Sequence, residues 1–163
     1  MNIPQSTPDR FAPAQRLLHW AVVILLLLQY VVFESMGRAF RTLMESGTAT
    51  YGTTQIAHIG IGIAVLVLAL VRVALRLRDG VPPPPTGEPD LFVRLSKLTH
   101  LALYALLFLI PLAGLVAWFG QVRMAAEAHE VMASALQALV LLHVGAVLVH
   151  QFYWKTNLIR RMI

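Results

Sequence analysis

The chain contains no cysteine and few charged residues. Without cysteine, disulfides, iron–sulfur clusters, thiolate zinc sites and covalent haem attachment through Cys-x-x-Cys-His are excluded. Charged residues make up only 13% of the 163 residues, whereas hydrophobic residues make up 58%. A soluble domain has about a quarter of its residues charged and needs them to cover its surface. The composition therefore excludes a typical soluble enzyme, a disordered chain and a nucleic-acid-binding module.

Four uncharged stretches are long enough to cross a membrane, because a bilayer core takes about 20 mostly apolar residues in a helix. They predict membrane spans at approximately 15–36, 53–76, 96–119 and 129–154. Each span must be a helix, since lipid cannot satisfy backbone polar groups. The predicted fold is thus an all-α, integral membrane four-helix bundle in contact with lipid, forming one domain over residues 1–163.

Lysine and arginine are unevenly distributed among the segments that connect the spans. Three lie in the two links predicted to face outward: Arg38, Arg41 and Arg123. The other ten lie in the two terminal segments and the central link: Arg10, Arg16, Arg72, Arg76, Arg78, Arg94, Lys97, Lys155, Arg160 and Arg161. Because cytoplasmic loops are enriched in these residues, both termini are predicted to face the cytoplasm. The net charge of +5 is then a topology signal, and no nucleic-acid partner is needed to explain it.

The three links differ in character. Residues 81–89 contain four consecutive prolines, which predict an extended and stiff connector. Residues 37–52 are interpreted as a polar outer loop. Residues 120–128 form such a short link that the third and fourth spans must be antiparallel neighbours.

The histidines form layers across the predicted membrane. Histidine inside a membrane span is costly and usually functional. His58 and His129 lie at the outer level, and the inner layer contains His19, His100, His143 and His150. On the fourth span, His129 and His143 are 14 residues apart, so they share a helix face at two depths about 21 Å apart. The fourth span therefore presents possible ligands at an outer and an inner level.

Haem iron fits this layering better than zinc. Zinc sites favour close spacings such as His-x-x-x-His, which are absent from the sequence. Each layer instead supplies histidines from different helices, which suits iron with two axial imidazoles inside a bundle. A flat macrocycle also needs close approach to the backbone, which Gly60, Gly62 and Gly145 would allow, although small-residue helix packing is the more common reason for such glycines.

Other residues in the spans suit the same interpretation. Pro111 and Gly114 can bend or thin the third span and leave room for a cofactor. Arg72 follows His58 by 14 residues, which places it on the same face at the inner end, where it could bind a haem propionate. The alternative is that Arg72, Arg76 and Arg78 are anchors whose charged ends reach the membrane surface.

Several short motifs occur in a fixed order along the chain. They are Leu17-Leu18-His19-Trp20, Ile56-Ala57-His58-Ile59-Gly60, His100 followed by Tyr104, His129-x13-His143, and Phe152-Tyr153-Trp154-Lys155 followed by Arg161-Met162. Each motif alone is weak, but their order and spacing over nearly the whole chain are specific. In these motifs the chain resembles the bacterial cytochrome b561 family, in its bacterial/nickel-hydrogenase cytochrome b type.

The resemblance implies a multi-pass cytochrome of the bacterial inner membrane with two haem b groups. It assigns His58 and His129 to the outer haem iron, and His19 and His143 to the inner one. Depth alone leaves His150 open as the partner of His19. The family exchanges electrons with ubiquinone, and His100, His150 and Arg76 are candidates for the quinone pocket, because a quinone needs hydrogen-bond donors and a proton source.

The resemblance also suggests electron donors. One branch of the family is a superoxide oxidase that passes electrons from periplasmic superoxide to ubiquinone, but its outer link between spans three and four is longer than residues 120–128 here. The outer arginines would either attract a small anion or be ordinary solvated loop charges. A second interpretation is a haem-bearing anchor subunit that receives electrons from a partner dehydrogenase or hydrogenase. A haem-free transporter is disfavoured, because no acidic residue lies well inside any span.

Overall fold

A computed structural model describes residues 10–32, 36–85 and 87–163, and every regular element in these ranges is helical. The long elements are α1 (Pro13–Val32), α2 (Met36–Ser46), α3 (Thr53–Asp79), α4 (Asp90–Gly120) and α5 (Arg123–Leu148). A π-helical turn, Val149–Tyr153, continues α5, and a 3₁₀ turn, Leu158–Arg161, follows it. The predicted all-α class is therefore confirmed for the described residues.

Three helices are long and apolar enough to cross a membrane: Thr53–Asp79, Asp90–Gly120 and Arg123–Tyr153, the last including the π-helical turn. They correspond to the second, third and fourth predicted spans. The first predicted span, 15–36, begins in α1 but runs through residues 33–35, which lie outside the described residues. The helices α4 and α5 start before the predicted spans do, because hydropathy marks the apolar part of a helix and the backbone helix continues through polar flanks.

The outer segment 37–52 differs from the predicted loop, since most of it forms α2. Apolar residues recur at helical spacing, and Leu43 is only 1% exposed. The helix ends where the N–H of Gly47, at φ 70°, donates to Leu43 O at 2.9 Å. This left-handed position favours glycine. The segment is therefore an amphipathic helix held by its apolar face.

The long helices pack in chain order around one apolar cluster. α1 packs against α3, α3 against α4, and α4 against α5. The cluster's buried residues come from α1, α3, α4 and α5: Val22, Val65, Ala69, Leu107 and Leu136. A hydrogen bond from Tyr30 Oη to Ala133 O at 2.7 Å also joins α1 to α5. Many other large apolar side chains, such as Leu77 and Leu101, are exposed, as expected for a surface that faces lipid.

The ends of the helices are joined by polar side chains and short links. Gln15 is buried at the start of α1, and its amide Nε2 donates to Leu75 O and Gly80 O at the end of α3. At the opposite end, only two residues separate α4 from α5, and Gln121 has the left-handed φ of 53° that reverses the chain. The predicted antiparallel pairing of these two helices is therefore confirmed.

The proline-rich link has no helix or strand from Val81 to Pro85, as predicted. It lies against the carboxyl-terminal segment, where Arg161 Nη1 donates to Pro83 O at 2.6 Å. Trp20 Nε1 of α1 donates to Met162 O at 2.8 Å, and Arg16 Nη1 donates to Ile163 O. We call this layer of link and carboxyl-terminal segment, residues 81–85, 87–89 and 149–163, the inner cap.

Candidate functional site

A cavity of about 780 Å³ opens at the end of the helices near α2. Its volume lies within the range of about 300–1,000 Å³ that is typical of cofactor and ligand sites. All five helices contribute to its walls, through residues such as Tyr30, Phe40, His58, Gly114, Trp118 and His129. The walls are mainly apolar, and two imidazoles are among the polar groups on them. We call this space the outer cavity.

His58 of α3 and His129 of α5 face each other in the outer cavity, with ring centroids 6.1 Å apart. The Nδ1 of His129 lies 2.8 Å from Ile110 O of α4. A carbonyl oxygen only accepts, so Nδ1 carries the proton and Nε2 keeps its lone pair. Metal-binding histidines are commonly fixed in this way by a backbone carbonyl. His129 is thus oriented as a ligand.

The separation of these two rings suits a shared metal ion. With metal–nitrogen distances of about 2.0–2.1 Å and a nitrogen about 1.1 Å from each ring centroid, two imidazoles bound on opposite sides of one metal ion have centroids about 6.3 Å apart. The observed 6.1 Å is close to this value. In the described part of the chain, no three His, Asp or Glu side chains are placed to hold a bare metal ion. A metal held by only two imidazoles must bring its other ligands, as haem iron does.

Gly114 leaves space for the ring of His129, and Gly62 lines the cavity. A Cβ on Gly114 would lie 3.0 Å from Nδ1 and 3.1 Å from Cε1 of His129. Gly62 also lines the cavity, beside the amide of Gln29, which donates to His58 O at 3.0 Å. Gly60 does not line it, because two residues correspond to about 200° around a helix from His58. Of the glycines near His58, Gly62 therefore lines the cavity and Gly60 does not.

The rim of the outer cavity carries charges of both signs. Arg41 and Arg123 line it, together with Glu45, Glu127 and Glu130. Three carboxylates beside two guanidinium groups do not form a positively charged entrance. The rim therefore gives a small anion no net electrostatic attraction.

A second group of histidines lies between the opposite ends of the same helices. His100 of α4 and His143 of α5 are in edge-to-face contact, with centroids 5.2 Å apart. His19 of α1 lies within electrostatic range of both, and of Arg72 of α3. The Nδ1 of His100 lies 2.7 Å from Ser96 O. We call these four residues the inner cluster, and it brings together four of the residues predicted from the sequence.

Arg72 is the charged residue of the inner cluster. Its Nε and Nη1 atoms are buried and have no hydrogen-bond partner among the described residues. Its guanidinium carbon lies 5.9 Å from the centroid of the Tyr104 ring. A buried guanidinium without an anion is unfavourable, whereas a carboxylate would satisfy it with charge-assisted hydrogen bonds. The inner cluster therefore has a place for an anionic group such as a propionate.

His150 lies outside the inner cluster, in the inner cap. Its Nε2 is 3.4 Å from Glu88 Oε1, and its Nδ1 is 3.0 Å from Thr156 Oγ1. Its ring also contacts Trp154, with centroids 4.5 Å apart. Sequence reasoning did not single out Glu88, because it is one of several acidic residues near the proline-rich link and belongs to no motif. The remaining predicted quinone-pocket residue, Arg76, is half-buried on α3 and within electrostatic range of His100.

Comparison with known proteins identifies a family and two relatives. The profile of the prokaryotic cytochrome b561 family matches residues 10–163. The chain is similar to cytochrome b562 of Cereibacter sphaeroides, with 36% identity over 146 residues that cover 90% of each chain. It is also similar to cytochrome b561 homolog 1 of Escherichia coli K12, with 27% identity over 180 residues, covering 95% of this chain and 97% of the other.

Proposed function

The chain belongs to the prokaryotic cytochrome b561 family of haem-binding membrane electron-transfer proteins, and we propose that it is a diheme cytochrome b that transfers electrons between an outer donor and membrane ubiquinone. The observation that carries the proposal is the facing pair of His58 and His129, 6.1 Å apart in a cavity of about 780 Å³. These two residues would hold the iron of the outer haem.

The proposed topology is four spans in the bacterial inner membrane, with both termini in the cytoplasm. The first span includes α1, which packs against α3 and bonds to α5. The positively charged central link and tail would then lie in the cytoplasm as the inner cap. The outer cavity and α2 would lie on the periplasmic side.

The chain's own groups would hold and orient the outer haem. A haem between two imidazoles supplies one-electron redox chemistry at an iron with no open coordination position. Ile110 O fixes the ring of His129, and Gly114 and Gly62 leave the space that side chains would fill. The apolar wall would exclude water from the haem. This exclusion and the hydrogen bond to His129 would together tune the midpoint potential of the haem.

We assign the inner haem to His19 and His143, with Arg72 binding a propionate. The alternative pair, His100 and His143, has centroids 5.2 Å apart, about 1 Å less than two imidazoles on opposite sides of one metal ion require. The other alternative, His150, is engaged with Glu88 and Thr156 in the inner cap. The two unpartnered nitrogens of Arg72 support the propionate assignment.

The proposed quinone pocket involves His100, His150 and Arg76. Ubiquinone reduction takes two electrons and two protons, and these residues carry N–H groups at the inner end, where cytoplasmic protons are available. Arg76 lies within electrostatic range of His100, which belongs to the inner cluster. His150 contributes from the inner cap.

The outer donor is either superoxide or a redox protein. The rim of the outer cavity has two arginines and three glutamates, a mixed pattern that suits complementary contacts with a protein surface better than capture of a small anion. This observation favours the second candidate function, a haem-bearing anchor subunit for a partner dehydrogenase or hydrogenase.

One experiment separates these functions. The purified chain in lipid nanodiscs is supplied with superoxide and a soluble ubiquinone analogue, and quinol formation is measured. Formation of quinol above the rate of a haem-free preparation supports a self-sufficient superoxide:ubiquinone oxidoreductase. Chemical reduction of both haems without superoxide-driven quinol formation supports the subunit. Absence of haem contradicts both.

A further inference from the structure

A buried pair of ionisable side chains lies in the inner cap, apart from both histidine sites. Glu88, in the link between α3 and α4, meets His150, in the π-helical turn after α5, with 3.4 Å between Oε1 and Nε2. Their side chains are only 8% and 10% exposed. His150 follows His143 by seven residues, about 10 Å along the helix. The pair is thus close to the inner cluster without touching its proposed ligands.

The hydrogen bonds around His150 determine where its protons are. The hydroxyl of Thr156 donates to His150 O at 3.2 Å, so its oxygen is an acceptor for Nδ1–H at 3.0 Å. Nε2 then faces the carboxyl of Glu88, and the contact is favourable only with a proton between them. That proton lies either on a neutral carboxyl group or on an imidazolium beside a carboxylate. Without that proton, Nε2 of His150 and Oε1 of Glu88 would be two hydrogen-bond acceptors facing each other at a buried site, which is unfavourable.

We propose that Glu88 and His150 form a proton-exchanging dyad, which takes up one proton from the cytoplasm when the inner haem is reduced; this rests on the proposed function. His150 lies about 10 Å along the helix from His143, which would hold the inner haem. An electron added to that haem would favour a proton at the dyad, because charges are poorly screened in this buried region. Two turnovers, each oxidising the outer donor by one electron, supply two electrons, and the dyad supplies two protons. Together they convert ubiquinone to ubiquinol.

Other charged groups lie on the segments packed around the dyad. Arg161 of the 3₁₀ turn is bound to Pro83 O, and Arg16 of α1 is bound to Ile163 O. The other titratable residues of the inner cap and of the start of α4 are Asp90, Arg94, Lys97, Tyr153, Lys155 and Arg160. Among the described residues, none of them forms an ion pair with Glu88 or His150. The dyad is therefore the group whose protonation should respond to reduction.

The test is a spectroelectrochemical titration of the inner haem in the full-length haem-loaded protein at a series of pH values. The midpoint potential of the wild-type inner haem should fall as pH rises. We call this dependence of the potential on pH the slope, and Glu88→Gln should lose it. Glu88→Asp, which keeps the carboxyl group, should retain it. Asp90→Asn, an exposed carboxylate two residues away, is the matched control and should also retain it.

Infrared difference spectra between oxidised and reduced protein give a second readout, a carboxyl band that Glu88→Gln removes. Intact haems with the slope and the band unchanged in Glu88→Gln would overturn the dyad alone. Absence of an inner haem from the wild-type protein would overturn the proposed function and the dyad with it. Should Glu88→Gln fail to accumulate, His150→Gln removes the other half of the dyad and must remove the same slope.

Discussion

Gly114 should control binding of the outer haem, although it is not a ligand. In Gly114→Ala, the new Cβ would lie 3.0 Å from His129 Nδ1 and 3.1 Å from Cε1, closer than ordinary contact allows. His129 must then move by a few tenths of an ångström, which strains its bond to Ile110 O. Loss of such a supporting contact typically costs about 10–100-fold in affinity, which corresponds to about 1.4–2.8 kcal/mol. We expect a loss of this size for the outer haem only.

The assay is haem titration of the purified apoprotein, with the two haems distinguished by their potentials. Gly60→Ala is the matched control, because Gly60 does not line the outer cavity and a Cβ there would have no neighbouring atom within 4 Å. This control should bind two haems normally, and alanine should stabilise the helix slightly. Equal outer-haem affinity in Gly114→Ala and Gly60→Ala would refute the assigned role of His129.

Three further predictions test the inner cluster and the docking of α2. His19→Ala and His143→Ala should each lose the inner haem and keep the outer one, whereas His100→Ala should keep both; loss of the inner haem in His100→Ala but not in His19→Ala would contradict the pairing. Arg72→Gln should lower the inner haem's midpoint potential and weaken its binding about 10–150-fold, since a charge-assisted hydrogen bond is worth about 1.5–3 kcal/mol, and redox titration against Arg72→Lys checks this. Leu43→Ala should cost about 2–5 kcal/mol in the docking of α2, seen as faster proteolysis near residue 43, and an unchanged rate would contradict it.

Hydropathy and histidine spacing could predict the frame of the site. The apolar runs located three helices that are long enough to span a membrane. The depth of His58 and His129 in their spans predicts that they lie at one level, and the structure brings them together. The register of Arg72 with His58 predicts that it lies at the inner end, and it is part of the inner cluster. These features depend on helix periodicity, which a single sequence reveals.

Contacts between distant segments could not be predicted in this way. The bond from His129 to Ile110 O depends on how α4 and α5 are rotated against each other, which periodicity does not fix. The pairing of Glu88 with His150 depends on the path of an irregular link. The sequence predicts a loop where α2 lies, because this segment is too short and too polar to resemble a membrane span. Its apolar residues nevertheless follow helical spacing.

The central claim is that two haems are held between histidines of different helices. Its most direct test is the ratio of haem to protein, measured with the reduced-minus-oxidised visible spectrum of the wild-type protein and of His58→Ala. The account predicts two low-spin b haems per chain in the wild type and one in the variant. A wild-type protein without low-spin b bands, or a variant that still holds both haems, would contradict it.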